Sequence, residues 1–336
     1  MELVWDTLGF AAKGFIVFLT VVASVGAVVL ITRRRQRHVP RIEVKPLDRR
    51  FEALGDALRE EILEPKELKS LLKARKKQEE ASEQKKHRLF VLDFEGDLLA
   101  TAVTSLRDEL SAVIAVATAE DEVVVRLESP GGSVAHYGLA AAQLARLKER
   151  KVKLTVCIDR VAASGGYMMA CVADRILAAP FAIVGSIGVV AQVPNVHRLL
   201  KKHDIDYDEM TAGEFKRTVS VFAEITDKGR AKFTEQLEET HGLFKDFVKT
   251  QRPSLDVDQV ATGEYWLAKR GLELGLVDQL ATSDEYLLSR VADARLFQVR
   301  YVPEDGWRRR LARVGADLLE RLTLTLLTRL KALELS

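Results

Sequence analysis

Between Arg88 and Pro180 the chain runs through three textures in a fixed order: an apolar run, a glycine-bearing break and a helical pattern. RLFVLDFEG precedes VTSLRDELSAVIAVA. EVVVRLES meets SPGGS and then YGLAAAQLARLKER. KLTVCID meets VAASGG and then GYMMACVA, and RILAAP follows. The valine run in EVVVRL is continuous rather than alternating, which suits a parallel strand covered on both faces. Parallel neighbours need crossover connections, and the helical patterns supply them. The expectation is an α/β domain over residues 88–300. Its functional loops belong at the carboxyl ends of the strands, where both glycine turns fall.

The ends of the chain read differently. Gly14 to Thr32 is a run of 19 residues without a charge. As a helix it spans roughly 28 Å, close to the hydrocarbon core of a bilayer. Glu2 and Asp6 precede it and Arg33, Arg34, Arg35 and Arg37 follow it, the reverse of a cleaved leader with a basic start. Residues 1–32 are therefore expected to carry a transmembrane anchor at 14–32. The flanking arginines favour a cytoplasmic face for everything after Arg33. Residues 33–87 are dense in mixed charge at helical spacing and read as a linker or exposed helix. Residues 301–336 read as a basic amphipathic tail, with Leu311, Val314, Leu318, Leu322, Leu326, Leu330 and Leu333 on one stripe. From Thr226 to Thr250 a longer helix is expected, with Leu237, Leu243, Phe244 and Phe247 as its apolar positions.

Composition limits the function classes. Hydrophobic residues make up 47% and charged residues 30%, which argues against wholesale disorder and against a polytopic membrane protein. Fifty-one basic against forty-nine acidic residues leave no overall field for nucleic acid. Two cysteines, Cys157 and Cys171, cannot build a disulfide framework. No Cys-x-x-Cys pair and no His-Glu-x-x-His occurs, so no zinc or other metal site is expected.

Four local features bear on chemistry. Ser129-Pro130-Gly131-Gly132 closes a strand, and its glycines let backbone amides approach a ligand. Such amides can form an oxyanion hole. Ser164, in Ala163-Ser164-Gly165-Gly166, stands at a helix start, where it is either an N-cap or an exposed nucleophile favoured by the helix dipole. Lys216, in Thr211-Ala212-Gly213-Glu214-Phe215-Lys216-Arg217-Thr218, is either a surface charge or a base. As a base it must be desolvated so that its pKa falls by roughly 3 units from about 10.4. Ser186, in Gly185-Ser186-Ile187-Gly188, offers a hydroxyl to orient that lysine. No Gly-x-Ser-x-Gly elbow is present. Of six histidines, only His136 follows a glycine turn closely enough to suggest a cleft.

SPGG, VAASGGYMMACVADRI, APFAIVGSIGVVAQVPN and TAGEFKR, in that order and spacing, resemble the signal peptide peptidase A family, and most nearly its short membrane-anchored members. The resemblance runs from the anchor to about residue 300 and includes FKDFVK, RPSLD and VATGEYW. It implies a ClpP/crotonase-like catalytic domain with a Ser–Lys dyad. Ser164 would be the nucleophile, Lys216 the general base and Ser186 the lysine-orienting hydroxyl. The amides of Gly132 and Gly165 would form the oxyanion hole, with Gly131 as the neighbouring candidate. Where members usually carry Pro-Phe after the lysine motif, Val221-Phe222 stands here. The resemblance also implies a homo-oligomeric ring whose sites face an inner chamber and are shared between protomers, and it implies no cofactor.

The expected activity is thus that of a serine endopeptidase on the bacterial inner membrane, cleaving membrane-associated or signal-peptide-derived polypeptides. Several relatives act outside that membrane, which sets a periplasmic placement against the cytoplasmic one favoured by the arginines. Two other readings compete. One is an acyl-CoA enzyme on the same fold, with Glu128 as a catalytic carboxylate. The other is a catalytically silent membrane scaffold. A Ser-His-Asp peptidase on this fold would want a histidine where Val189 stands. Ser70-Leu71-Leu72-Lys73 matches a Ser-x-x-Lys motif but falls in the charged linker.

Overall fold

The computed structural model describes residues 41–82 and 87–302. Its elements are β1 (Arg41–Pro46), α1 (Leu47–Ile62), α2 (Pro65–Ser82), β2 (His87–Glu95), α3 (Val103–Val116), β3 (Glu122–Glu128), α4 (Val134–Glu149), β4 (Lys153–Ile158) and β5 (Val161–Ala163). There follow α5 (Gly165–Ala170), β6 (Arg175–Ala178), β7 (Ile183–Gly185), α6 (His197–Lys202), α7 (Asp227–Gln251), α8 (Val257–Val260), β8 (Tyr265–Leu267), α9 (Ala268–Glu273), β9 (Gln279–Leu280), α10 (Ser283–Arg290) and β10 (Ala294–Val302).

The main sheet has seven strands in the order β1-β10-β2-β3-β4-β6-β9, and β10 through β9 pair in parallel. The register of β2 explains its unbroken apolar run. Phe90, Leu92 and Phe94 face one core, with Leu106 and Leu110 of α3 and Leu144 of α4. Leu89 and Val91 face the other, with Tyr286 and Leu287 of α10 and Leu47 at the start of α1. Both faces are covered, so the strand has no side on which to carry polar residues. The expected alternation of strand and helix is what folds. The larger apolar body lies under α3, α4 and α5, and the smaller one under α1 and α10.

A second sheet of three strands, β5-β7-β8, stands at the carboxyl end of the first. β5 pairs in parallel with β7, and β7 pairs antiparallel with β8. A single bridge from Ser129 to Ala162 ties it to the end of β3. That bridge matters because it joins the two glycine turns.

Three placements differ in detail from the sequence reading. The 33–87 stretch contributes to the body: β1 joins the sheet beside β10, and Leu47 is buried under α1. Its charges hid this, because only one face of α1 touches the core, leaving Leu54, Leu58 and Ile62 exposed. The last strand, which the sequence suggests only after Leu296, begins at Ala294. In α7, Phe244 and Val248 are buried while Leu243 is 65% exposed, so the apolar face is narrower than the pattern suggested. No helix among the described residues is long and apolar enough to cross a membrane. The expected anchor at 14–32 and most of the tail at 301–336 lie outside the described residues.

Candidate active site

β3 delivers Ser129 to the carboxyl edge of the sheet, and β5 delivers Ser164 beside it. The Ser129 amide donates to Val161 O at 2.8 Å, and the Ala163 amide returns to Ser129 O at 3.0 Å. This short ladder sets the SPGG turn against the ASGG turn. Gly131 has φ +90°, and a Cβ there would lie 2.7 Å from Ala163 O, from the Gly165 amide and from Ser164 Cβ. Only glycine lets the two turns approach this closely.

Ser164 has φ +51° and ψ −119° immediately before α5. A non-glycine residue in this region is strained by about 1–3 kcal/mol. Its side chain makes no capping hydrogen bond, and its hydroxyl has no hydrogen-bond partner among the described residues. Of the two sequence readings, the cap is therefore the one without a bond to support it. The Ser164 amide donates to Gly185 O at 2.8 Å, which fixes the residue to β7. The amides of Gly165 and Gly166 open the first turn of α5, where no intrahelical acceptor exists. The first turn also carries the positive end of the helix.

The neighbouring amides divide into two kinds. Gly131 N–H donates to Ser129 Oγ at 3.1 Å, so it is already engaged. Gly132 N–H has no acceptor among the described residues. Gly132 also packs where a Cβ would strike Leu98 O, and a Cβ on Gly165 would strike the Tyr137 ring. Gly132 and Gly165 thus remain as free donors beside the hydroxyl, while Gly131 does not in this conformation.

Ser164, Ser186, Gly131 and Gly132 line one cleft of about 830 Å³. Ser186 also has positive φ, +51°. Its amide donates to Glu264 O at 2.7 Å, and its hydroxyl lies 3.4 Å from Gly263 O. Leu98, Leu99, Val134 and Val190 give the cleft an apolar wall, and all four are exposed.

The chain does not bring Lys216 into this cleft. It stands in the irregular segment between α6 and α7 and is exposed. Its amide closes a turn on Gly213 O at 3.1 Å. The preceding Phe215 lies under the ammonium groups of Lys228 and Lys232, 5.6 and 5.5 Å from its ring centre. Glu214 pairs with Lys228. The lysine motif is thus anchored on the first two turns of α7, with Lys216 facing outward.

Other sequence candidates find ordinary places. His136 is exposed and bonded to Ser133 Oγ at 2.8 Å. Val189 lines the cleft at the position where a Ser-His-Asp triad would want its histidine. Glu128, the carboxylate of the acyl-CoA reading, is paired with Arg160. Ser70 and Lys73 lie on α2, and the Ser70 hydroxyl donates to Glu67 O within its own helix. Cys157 and Cys171 are buried, and burial pushes both thiols up to about 12.

Three residues at the site carry no sequence signal. His241 of α7 lines the cleft and donates from Nε2 to Ile187 O at 3.2 Å. Ser129 and Tyr137 lie behind the SPGG turn, their oxygens 2.6 Å apart. Ser129 looked like part of a turn, and Tyr137 like one residue of an amphipathic helix.

Comparison with known proteins supports a peptidase. The sequence model of Peptidase family S49 matches residues 146–296, and that of Peptidase family S49 N-terminal matches residues 2–144. The chain is 50% identical over 300 residues to the probable protease SohB of Haemophilus influenzae, covering 85% of each chain. It is also 50% identical over 243 residues to the probable protease SohB of Buchnera aphidicola subsp. Acyrthosiphon pisum, covering 72% of this chain and 71% of that one. A solved structure of the 1510-N membrane-bound stomatin-specific protease aligns at 16% identity over 61% of this chain and 84% of its own, with a TM-score of 0.38.

Proposed function

This chain belongs to peptidase family S49 as a SohB-like peptidase, and on that premise we propose that it is a membrane-anchored serine endopeptidase with a ClpP/crotonase-like core and a Ser164–Lys216 dyad. The observation that carries the reading is Ser164 itself. It is a serine held at φ +51°, with an unbonded hydroxyl, beside the free amides of Gly132 and Gly165. A structural serine has no use for that strain; a nucleophile aimed into a cleft does.

In the proposed reaction neutral Lys216 takes the Ser164 hydroxyl proton, and Ser164 Oγ attacks the scissile carbonyl. The Gly132 and Gly165 amides receive the developing oxyanion, and loss of one such donor costs on the order of 10²–10³ in rate. Lys216 then returns its proton to the leaving amine. Water attacks the resulting ester by the same route in reverse, freeing the acid product and Ser164. Ser186 orients the lysine. No cofactor or metal takes part.

Lys216 is exposed in the single chain, whereas a lysine base works only once it is desolvated. We therefore assign its desolvation to assembly. In a homo-oligomeric ring with sites shared between protomers, the segment 203–226 of one copy covers the cleft of the next and delivers Lys216 to it. The apolar wall of Leu98, Leu99, Val134 and Val190 favours apolar stretches of polypeptide, such as those left by membrane proteins and signal peptides. Residues 14–32 hold the site at the inner membrane. The Arg33–Arg37 cluster favours the cytoplasmic side over the periplasmic one.

The test uses the full chain in detergent. Ser164→Ala and Lys216→Ala each abolish peptide cleavage and keep the wild-type oligomeric state. Mixing the two dead variants during assembly restores activity at about a quarter of the sites, by random assortment across a head-to-tail interface. Full activity of either variant alone refutes the dyad. No recovery on mixing refutes the sharing between copies. Fluorophosphonate labelling of Ser164 in intact against permeabilised cells decides the side of the membrane.

A further inference from the structure

Behind the SPGG turn lies a chain of hydrogen bonds whose direction is fixed by chemistry. Tyr137 Oη is 2.7 Å from the backbone carbonyl of Asp97. A carbonyl can only accept, so the phenol spends its one proton there. Ser129 Oγ, 2.6 Å from the same phenol, must then be the donor of that pair. With its proton so committed, Ser129 Oγ is left as an acceptor, and Gly131 N–H donates to it at 3.1 Å. From donor to acceptor the chain runs from the Gly131 amide to the Ser129 hydroxyl, on to the Tyr137 phenol, and ends on the Asp97 carbonyl. No member can be reversed without leaving another unpaired.

The chain is closely confined. Ser129 and Tyr137 are wholly buried. Burial also pushes the Tyr137 phenol up, so it remains a donor. A Cβ on Gly96 would strike both hydroxyl oxygens, and a Cβ on Gly165 would strike the Tyr137 ring. A Cβ on Gly166 would lie 2.5 Å from Ser129 O. Gly96 thus closes on the two hydroxyls, while Gly165 and Gly166 close on the residues that carry them. The far end is also anchored. The Asp97 carboxylate accepts from the amide and hydroxyl of Thr101, at 2.8 and 2.6 Å. The Ser133 amide donates to Leu98 O at 2.8 Å.

We infer that Tyr137, acting through Ser129, is a positioning residue for hydrolysis, turning the Gly131 amide away from Ser164 so that the Gly132 amide faces the oxyanion. The inference rests on the reading of Ser164 as nucleophile. Its physical content is that the first of two successive glycine amides must be occupied for the second to be aimed. With φ of +90° at Gly131 and no side chain on either glycine, the hydrogen bond to Ser129 Oγ is what holds the Gly131 amide in its direction. Without the phenol, Ser129 is free to rotate, and the amides of the turn sample orientations in which neither meets the oxyanion. The effect falls on the transition state, because the ground-state carbonyl gains little from the missing donor.

Two full-length variants test this against wild type. Tyr137→Phe removes the phenolic oxygen and keeps the ring that packs on Gly165. Gly96→Ala keeps both hydroxyls and forces them apart. Sites are counted by fluorophosphonate titration to completion, so that kcat is expressed per reactive Ser164 and unfolded protein does not enter. Both variants lower kcat about tenfold or more with KM within about twofold, in the range that loosened positioning of a reacting group produces. A peptide boronate, which mimics the tetrahedral adduct, loses affinity by the same factor as kcat/KM, while a ground-state product peptide binds as before. Unchanged kcat per titrated site in Tyr137→Phe overturns the inference. So does a loss confined to the number of titratable sites, which is what a purely structural role would give. A wild-type protein that takes no label at all refutes the Ser164 reading itself, and this inference falls with it.

Discussion

Replacing Ser164 by glycine should make the protein more stable than replacing it by alanine, although both kill activity. At φ +51° and ψ −119° any side chain with a Cβ is held in a sparsely populated region, at a cost of about 1–3 kcal/mol. Glycine removes that strain and instead loses about 0.4–1 kcal/mol through the greater freedom of its unfolded chain. The balance favours glycine by about 1 kcal/mol, with a span from near zero to about 2.6 kcal/mol. The Ser164 hydroxyl has no hydrogen-bond partner among the described residues, so alanine should unfold close to wild type. For a body of this size, Ile42–Val302, 1 kcal/mol moves Tm by about 2–4 °C. Scanning calorimetry of wild type, Ser164→Ala and Ser164→Gly at one detergent concentration and one scan rate reads the order directly. Glycine melting at or below alanine would mean that the backbone at Ser164 is relaxed, and the strain argument for a nucleophile would be lost.

Two buried carboxylates predict opposite pH behaviour. Burial works to raise the Glu122 carboxyl, but hydrogen bonds from Thr155, Tyr286 and Arg290 outweigh it and hold the group below its ordinary value of 4.5. The stability it contributes is therefore present above about pH 4.5 and is lost as pH falls through the lower folded value. Arg290→Met removes the partner, 2.6 Å away, and should cost about 3–5 kcal/mol at neutral pH, since it leaves an unpaired buried charge. Denaturant unfolding at pH 7 checks this, and a loss below 1 kcal/mol would contradict it. At Glu109 burial dominates and raises the carboxyl above its ordinary value, despite the Tyr301 amide that donates to it at 2.7 Å. A raised carboxyl destabilises the fold once pH exceeds 4.5, fully so above the folded value. Glu109→Gln keeps an acceptor for Tyr301 and should raise Tm at pH 8 but not at pH 4; equal shifts at both would reject the account.

Much of the core was readable because parallel strands covered on both faces must be continuously apolar. EVVVRL, continuous and β-branched, suited such a strand, and the glycines after it marked the carboxyl edge. Ser164, Ser186, Gly131, Gly132 and Gly165 were legible as motifs, and the fold brings the first four to one cleft. What could not be read was direction. SPGG offers two glycine amides, yet only the path through Ser129 and Tyr137 tells which of them is already occupied. That path joins residues from β3, α4 and the turn after β2, and no local pattern connects them. The contribution of β1 and Leu47 was hidden for a related reason: one buried residue in a run of charges leaves no period to detect. Lys216 shows the opposite limit. Its motif is plain in the sequence, but its setting in a single chain is solvent, which no local pattern announces.

The bond from the Ser164 amide to Gly185 O, 2.8 Å long, has a consequence for how such a site can change over generations. It couples two corners, Ser164 and the adjoining Ser186, through main chain alone. Substitutions in the cleft wall can reshape what is gripped without moving either hydroxyl relative to the other. What the cleft grips is thereby free to drift while the two serines stay in register, and only a lesion in the small three-stranded sheet would disturb both at once.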